Sequence, residues 1–99
     1  MFSIIIPTFN NLDYLKLCIN SIKKNSAFQH EIIVHINEGI DGTSQYLESQ
    51  KIKTTFSKIN AGVCVAFNQA ANFASKKYIV LAHDDMYFCP EWDTVLFNE

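Results

Sequence analysis

Hydrophobic positions along the chain follow two alternating patterns. Short segments rich in apolar and β-branched residues, some continuous and some alternating with polar residues, are typical of strands. Four such segments predict strands at residues 2–6, 31–36, 51–57 and 77–82. Pro7 follows the first segment directly, and because proline has no backbone N–H to donate, we expect it to stop that strand.

The segments between the strands carry apolar residues every three to four positions, the spacing of one helix face. The first, which follows two asparagines suited to capping (Asn10 and Asn11), has this stripe at Leu15, Cys18, Ile19 and Ile22. A short second helix is predicted from Thr43 or Ser44, and a third from residue 63 to about residue 75. A last helix is predicted with Pro90 in its first turn.

The predicted elements alternate in the order β-α-β-α-β-α-β, followed by a final helix. This order predicts an α/β fold with a mainly parallel sheet and right-handed crossovers. The first, second and fourth strands are near-continuous apolar runs, which predicts that helices cover both of their faces. With 99 residues, no internal repeat and no linker, the chain is predicted to be one domain spanning residues 1–99.

Composition narrows the possible classes of function. The chain is 48% hydrophobic with a formal charge of −2, which indicates an ordered domain and argues against broad binding to nucleic acid or anionic membranes. No apolar run approaches the length of a transmembrane helix, and the N-terminus lacks the basic start of a signal peptide. The three cysteines show no C-x-x-C spacing, which predicts free thiols and a cytoplasmic location.

Polar residues follow each predicted strand. The carboxyl ends of parallel strands meet at one edge of the sheet, and ligands bind there, near the point where the strand order reverses. The residues predicted to gather at that edge are Pro7, Thr8 and Asn10 after the first strand, Asn37, Glu38 and Asp41 after the second, Asn60 after the third, and His83, Asp84 and Asp85 after the fourth.

The adjacent carboxylates of Asp84 and Asp85 are the strongest candidates for chemistry. Hard oxygen ligands suit Mg²⁺ or Mn²⁺, and His83 is a candidate third ligand. On composition alone, a solvated turn is the favoured interpretation, because an isolated Asp-Asp pair is a weak motif. His30 and His35 are interpreted as strand residues without a role.

Four segments together resemble the nucleotide-binding half of a family 2 glycosyltransferase. They are FSIIIPTFNNLDYLKLCINSI, EIIVHINEGIDGT, NAGVCVAFNQA and YIVLAHDDMYFCPEW, which occur in the family's order and spacing over nearly the whole chain. The resemblance implies a GT-A fold, which is a Rossmann-like three-layer α/β/α fold with a mainly parallel sheet, in truncated form. It also implies a nucleotide-sugar donor, commonly a UDP-sugar, bound with Mn²⁺ or Mg²⁺.

The resemblance assigns roles to particular residues and raises the metal interpretation above the solvated turn. Pro7 and Thr8 would line the donor base and ribose, and Glu38 would contact the base. Asn10 and Asn60 complete the predicted donor-binding set. Asp84 matches the last aspartate of the family's Asp-x-Asp motif and would hold the metal against the diphosphate, shared with Asp85 and helped by His83.

The chain departs from the family pattern at four positions. Ala82 replaces the first aspartate of Asp-x-Asp, and Asn37 replaces the first carboxylate of the second loop. Phe67 and Ala70 replace an arginine and a glycine that the family often has. These departures leave room for a degenerate binding domain.

The catalytic base of inverting family members comes from a later segment, which also supplies the acceptor pocket. No catalytic residue is assigned here, because only Glu99 follows Asp93 as a carboxylate. The isolated chain is therefore expected to transfer no sugar, and the acceptor is unknown. Two alternatives to a glycosyltransferase stay open: a non-catalytic nucleotide- or metal-binding module, and a structural domain that retains only the fold, with a homo-oligomer covering its exposed edge.

Overall fold

A computed structural model describes residues 2–37, 42–57 and 63–97. Strands and helices alternate along these residues as the sequence predicts. The strands are β1 (Phe2–Phe9), β2 (Glu31–Asn37), β3 (Lys53–Ser57) and β4 (Tyr78–Leu81). The helices are α1 (Leu12–Asn25), α2 (Thr43–Ser49), α3 (Val63–Ala71) and α4 (Trp92–Phe97).

All described strand pairs are parallel, in the spatial order β3-β2-β1-β4. The chain builds the sheet in one direction from β1 through β2 to β3 and then crosses back to place β4 on the other side of β1. The strand order therefore reverses between β1 and β4, and the crevice at their carboxyl ends is the expected ligand site of such a sheet. The predicted α/β fold with a parallel sheet is confirmed.

Pro7 does not stop β1, which was predicted to end at residue 6 and instead runs to Phe9. Ala82 donates its backbone N–H to the carbonyl of Ile5 at 2.9 Å, so the odd-numbered residues of β1 direct their backbone groups toward β4. Pairing with β4 ends at that point, and the missing N–H of Pro7 therefore faces a side that needs no donor. On its other side β1 continues to pair with β2 up to Phe9 and Asn37.

One face of the sheet carries the main apolar core, which we call the α1 face. It buries the even-numbered residues of β1 and β2 against the predicted stripe of α1, against Leu47 of α2 and against Phe88. The stripe residues Leu15, Cys18, Ile19 and Ile22 are all buried, as the helical spacing predicts. Trp92 of α4 also packs on this cluster.

The opposite face, here the α3 face, is smaller and more polar. Among the described residues, its buried apolar cluster contains Ile5, Ile33 and Ala70, with Phe67 packed against it. The same strand rows carry Ser3, Glu31 and His35, since side chains alternate between the two faces of a strand. Helix α3 thus covers β1 and β2 over a mixed surface.

The fourth strand is exposed, contrary to the prediction that helices cover both of its faces. Tyr78, Ile79 and Leu81 are 52%, 46% and 55% exposed. Ile79 and Leu81 lie on the α3 face, where α3 packs mainly over the other three strands. In the described part of the chain, no helix is long and apolar enough to cross a membrane.

His30 lies just before β2 and joins the two ends of the chain, contrary to its interpretation as a strand residue without a role. Its Nδ1 accepts a hydrogen bond from the Phe2 backbone N–H at 3.1 Å, and its Nε2 lies 2.8 Å from Oδ2 of Asp93. Since Nδ1 is an acceptor, the ring hydrogen resides on Nε2 and is donated to Asp93. Asp93 also accepts hydrogen bonds from the backbone N–H groups of Ala27 and Phe28.

Helix α4 begins at Trp92, after the position predicted for its start, because Pro90 lies outside it. Glu91 takes a positive φ of 63° at the turn into the helix, and its N–H bonds to the Asn25 carbonyl at 3.1 Å. The Trp92 indole N–H donates to the Ser26 hydroxyl at 2.9 Å. These contacts hold α4 and the polypeptide after β4 against the C-terminal end of α1.

Candidate functional site

The crevice between the carboxyl ends of β1 and β4 is crossed by one hydrogen bond. The Thr8 hydroxyl donates to Oδ2 of Asp84 at 2.9 Å, and these residues are 76 positions apart in sequence. Thr8 is 2% exposed, while Asp84 is half-buried. Two residues predicted from separate segments of the sequence therefore meet at the predicted place.

The loop that follows β4 leaves the sheet through a buried residue and a tight turn. Ala82 is fully buried in the core of the α1 face, and the Met86 N–H bonds to the His83 carbonyl at 3.2 Å. This turn places Asp84 and Asp85 at its tip, with Asp85 exposed to solvent. The two carboxylates thus differ: one is held against β1, and the other faces water.

Cys18 of α1 lies directly beneath this turn, and it was predicted only as a small core residue. Its Sγ is 3.7 Å from the His83 carbonyl oxygen. Burial, together with the negative charges of Asp84 and Asp85, raises the pKa of the Cys18 thiol to about 12. The thiol therefore stays protonated and acts as a donor to the loop, a contact that the sequence spacing does not reveal.

His83 and Asp84 point to opposite faces of the sheet. The His83 ring packs edge-on against Phe67, with the ring centroids 6.2 Å apart, and Phe67 belongs to the α3 face. Asp84 bonds to Thr8, which shares the α1 face with Ile6. The role of His83 as a third metal ligand stays a prediction, because its ring packs on Phe67 while the Asp84 carboxylate bonds to Thr8.

A divalent cation fits the donor set of this turn. Adjacent carboxylates supply the hard oxygen atoms that Mg²⁺ and Mn²⁺ prefer, and such ions usually retain several waters and bind through one or two carboxylates. Within residues 2–37, 42–57 and 63–97, no group of three or more His, Cys, Asp or Glu residues is placed to hold a metal ion. Among the carboxylates of the described residues, Asp84 and Asp85 are therefore the candidate ligands of this turn, and water or a bound ligand can supply further oxygen atoms.

The remaining predicted donor-binding residues are placed unequally. Pro7 is buried within β1, and Asn10 follows the strand with a positive φ of 47°, a conformation that asparagine tolerates better than most residues. Asn10 lines an open pocket of about 310 Å³ together with the first residues of α1. Glu38 and Asn60 lie outside the described residues.

A buried polar network sits beneath the ends of β2 and β3, and the sequence interpretation missed it. His35 is fully buried, with Nδ1 2.6 Å from the Thr55 hydroxyl and Nε2 2.9 Å from the Ser57 hydroxyl. Burial lowers the pKa of His35, and a hydrogen bond with the Asn37 side chain opposes that effect. The ring is therefore favoured in its neutral form, and it joins the last residue of β2 to β3. A polar residue in an otherwise apolar strand was the available signal.

Known proteins with a similar sequence are glycosyltransferases. A family model described as Glycosyl transferase family 2 matches residues 3–99. An uncharacterized glycosyltransferase of Rickettsia conorii is 33% identical over 94 residues, which cover 87% of this chain and 15% of that protein. Chondroitin synthase of Pasteurella multocida is 28% identical over 94 residues, which cover 90% of this chain and 10% of that protein.

Solved structures share the fold of this chain. The S. aureus TarS fragment 1–349 superimposes with a TM-score of 0.84 and 25% identity over 97% of this chain and 31% of that one. The mannosyltransferase PcManGT from Pyrobaculum calidifontis, solved with GDP-Man and Mn²⁺, shares the fold at 20% identity, with a TM-score of 0.77 over 95% of this chain and 30% of that one. The predicted GT-A architecture is confirmed. The chain spans about a third or less of these relatives.

Proposed function

Because this chain belongs to glycosyl transferase family 2, we propose that it binds a nucleotide-sugar donor together with Mn²⁺ or Mg²⁺. The observation that carries the proposal is the hydrogen bond between Thr8 and Asp84, which brings a candidate metal ligand to the point where the strand order reverses. Ligands of open parallel sheets bind in that crevice. A UDP-sugar is the favoured donor. TarS, a relative in fold and sequence, has been solved with UDP-GlcNAc.

In the proposed donor site, residues at different strand ends bind different parts of the donor and its cation. Asp84 and Asp85 would hold the cation, with His83 as an additional candidate ligand. The predicted contacts with the nucleoside come from Pro7, Thr8 and Glu38, and Asn10 and Asn60 complete the predicted donor-binding set. A divalent cation bound there supplies positive charge that stabilises the diphosphate as it leaves the sugar.

We propose that sugar transfer requires polypeptide beyond these 99 residues. Transfer needs a base within hydrogen-bond reach of the acceptor hydroxyl and an acceptor held in line with the sugar. Relatives that match most of this chain are much longer than it, since it covers only 35% of one and 31% of another. The chain would supply donor binding, while the base and the acceptor pocket would come from elsewhere.

A second candidate function is nucleotide or metal binding without catalysis. Ala82 stands where the family motif has its first aspartate, and it is fully buried in the apolar core. The position therefore offers no side-chain ligand to a cation. The exposed apolar side chains of β4 also support a homo-oligomer as a candidate assembly, which light scattering after size-exclusion chromatography would detect.

A cytoplasmic location is part of the proposal. It is supported by the free thiols of Cys18 and Cys89 and by a cysteine spacing without a disulfide pattern. Fractionation of cells that express the tagged chain would test it, and recovery from an oxidising compartment would contradict it.

Titration calorimetry tests donor binding directly. The purified chain is titrated with UDP and with GDP, in the presence of Mn²⁺ and after chelation. We expect UDP to bind at least about tenfold more tightly with Mn²⁺, a difference of about 1.4 kcal/mol, and we expect Asp84→Asn to remove that difference. Glu48→Gln, which changes an exposed carboxylate on α2, is the matched control. Equal UDP binding with and without Mn²⁺ would contradict the role proposed for Asp84.

A further inference from the structure

β1 reaches beyond its neighbour on one side. Its last pairing with β4 is Ile5 with Leu81, but it continues for four residues to Phe9. The side chains of its even-numbered residues face α1, so Thr8 stands on the same face as Ile4 and Ile6, above the core. The end of β1 thereby forms a platform against which the turn after β4 rests.

The Thr8 side chain is well suited to hold a carboxylate. It is 2% exposed, and β-branching restricts its χ1 rotation, so the hydroxyl has few orientations available. Its Oγ1 lies 2.9 Å from Oδ2 of Asp84, and hydrogen bonds to ionised acceptors are stronger than neutral ones. Cys18 holds the same turn from below through the His83 carbonyl.

From this geometry we infer that Thr8 is a positioning residue, whose hydroxyl fixes the orientation of the Asp84 carboxylate. A hydroxyl has a single hydrogen to donate, and Thr8 donates it to Asp84. Any contact of Thr8 with a bound nucleotide is then limited to accepting a hydrogen bond. The effect of this orientation on cation binding rests on the proposed function, in which Asp84 holds the cation.

A double-mutant cycle without any ligand tests the orientation itself. Thr8→Val keeps the shape of the side chain and removes the hydroxyl, so it should lower the Tm of the otherwise wild-type chain by a few degrees. In the Asp84→Ala background the same change should leave the Tm unchanged or raise it, because the buried hydroxyl has lost its acceptor there. Additive Tm shifts would overturn the inference.

Binding measurements separate positioning from a purely structural role. With UDP and Mn²⁺ as the probes, Thr8→Val should weaken Mn²⁺-dependent binding roughly three- to tenfold, and Thr8→Ser should restore it to within about twofold. UDP binding after chelation should weaken by a smaller factor than binding with Mn²⁺ does, because only the latter depends on the orientation of Asp84. An equal loss with and without Mn²⁺ would show that Thr8 acts only through its contact with the nucleoside, and unchanged Mn²⁺-dependent binding would reduce the hydrogen bond to a structural role.

The two experiments distinguish a failure of the proposed function from a failure of the inference about Thr8. If the wild-type chain binds no UDP with Mn²⁺, the proposed function fails, while the Tm cycle still decides whether Thr8 orients Asp84. If Thr8→Val does not fold, proton NMR of the wild-type chain replaces the cycle. The Thr8 hydroxyl proton should then exchange slowly and be visible, and its signal should disappear in Asp84→Ala. Absence of that signal in the wild-type chain would overturn the inference.

Discussion

The two faces of the sheet differ in how they are covered and in what they bury. On the α1 face, a continuous apolar core joins β1, β2, α1, α2 and the polypeptide after β4. Among the described residues, the buried apolar cluster of the α3 face contains Ile5, Ile33 and Ala70, and polar side chains lie in the rows around it. Both faces are built from the same strands, so the difference lies in the side chains and in the number of covering helices.

The contrast shows that residues of the apolar core and residues of the polar network alternate along the same strand. A strand residue and its successor face opposite sides of the sheet, so one strand can serve a dense core and a polar network at once. Ile36 belongs to the core of the α1 face, while its neighbours His35 and Asn37 belong to the polar network. Substitutions of adjacent residues should therefore have very different consequences.

The largest expected effect comes from truncating neighbouring isoleucines on the two faces. Ile4 and Ile5 are both fully buried, with Ile4 facing α1 and Ile5 facing α3. Ile4→Ala should lower the free energy of unfolding by about 4 kcal/mol and Ile5→Ala by about 2–3 kcal/mol, because the smaller cluster can collapse more easily around a cavity. Urea denaturation measures both values. Equal losses would mean that the two faces are packed equally well.

The next effect concerns the buried carboxylate of α4. Burial acts to raise the pKa of Asp93, but hydrogen bonds from the N–H groups of Ala27 and Phe28 and from His30 outweigh it and lower the pKa to about 2. A lowered pKa means that the stabilisation is complete above the unfolded value of about 3.9 and is lost as the pH falls toward 2. Asp93→Asn should cost about 3 kcal/mol at neutral pH, because the amide NH₂ would face donors.

Denaturation by urea at about pH 7, 4 and 2.5 checks this prediction, with the exposed Asp13→Asn as the matched control. The stability difference between Asp93→Asn and wild type should shrink below pH 4.

On the α3 face, burial acts to raise the pKa of Glu31, but hydrogen bonds from Lys53, Ser75 and Ser3 outweigh it and lower the pKa to about 2. Glu31→Gln should cost only about 1 kcal/mol, since Lys53 is 56% exposed. A larger loss of stability for Glu31→Gln than for Asp93→Asn would contradict this ranking of the two carboxylates.

A smaller, pH-dependent effect is expected from the polar network of the α3 face. The pKa of His35 is lowered by burial, so the folded chain binds a proton less readily than the unfolded chain does. Stability should therefore be lost as the pH falls below the unfolded value of about 6.5. The Tm should fall between about pH 7.5 and pH 5.5, and His35→Gln should reduce that fall. His83→Gln, which changes an exposed histidine, is the matched control.

The smallest expected effect is at the junction of the two faces. Asp84→Asn relieves repulsion with Asp85 and retains an oxygen that can accept from Thr8. Its free energy of unfolding without metal should stay within about 0.5 kcal/mol of the wild-type value. Thermal denaturation after chelation measures it. Unfolding of this variant would make Asp84 a structural residue and remove the main support for a metal site.

The sequence predicts the fold well where hydrophobic spacing is sufficient. The stripe of α1 and the alternation of strands and helices are reproduced in the structure. The extent of β1 was not predictable, because tolerance of Pro7 depends on where pairing with β4 ends. The exposure of β4 was missed for a similar reason: an apolar run indicates a strand but does not say whether a helix will cover it.

The candidate site was predictable only in part. The rule that strand ends converge places Thr8 and Asp84 near each other, and they meet within hydrogen-bond distance. Which partner each polar group selects is decided by tertiary packing. The pairings of His30 with Asp93 and of His35 with Thr55 join residues 63 and 20 positions apart, and no local pattern marks them.

The position of β1 inside the sheet has a consequence for the order of folding. β1 is the first strand of the chain, but its pairing with β4 joins Phe2 to Tyr78 and must await nearly all of the intervening polypeptide. Contacts so distant in sequence carry a large loop-closure entropy and form late, which slows the folding of parallel sheets. The pairing of β1 with β2 can form first and hold Thr8 in its extended conformation. On a ribosome, the crevice that contains Asp84 would therefore assemble only after β1 and β2 have already been paired.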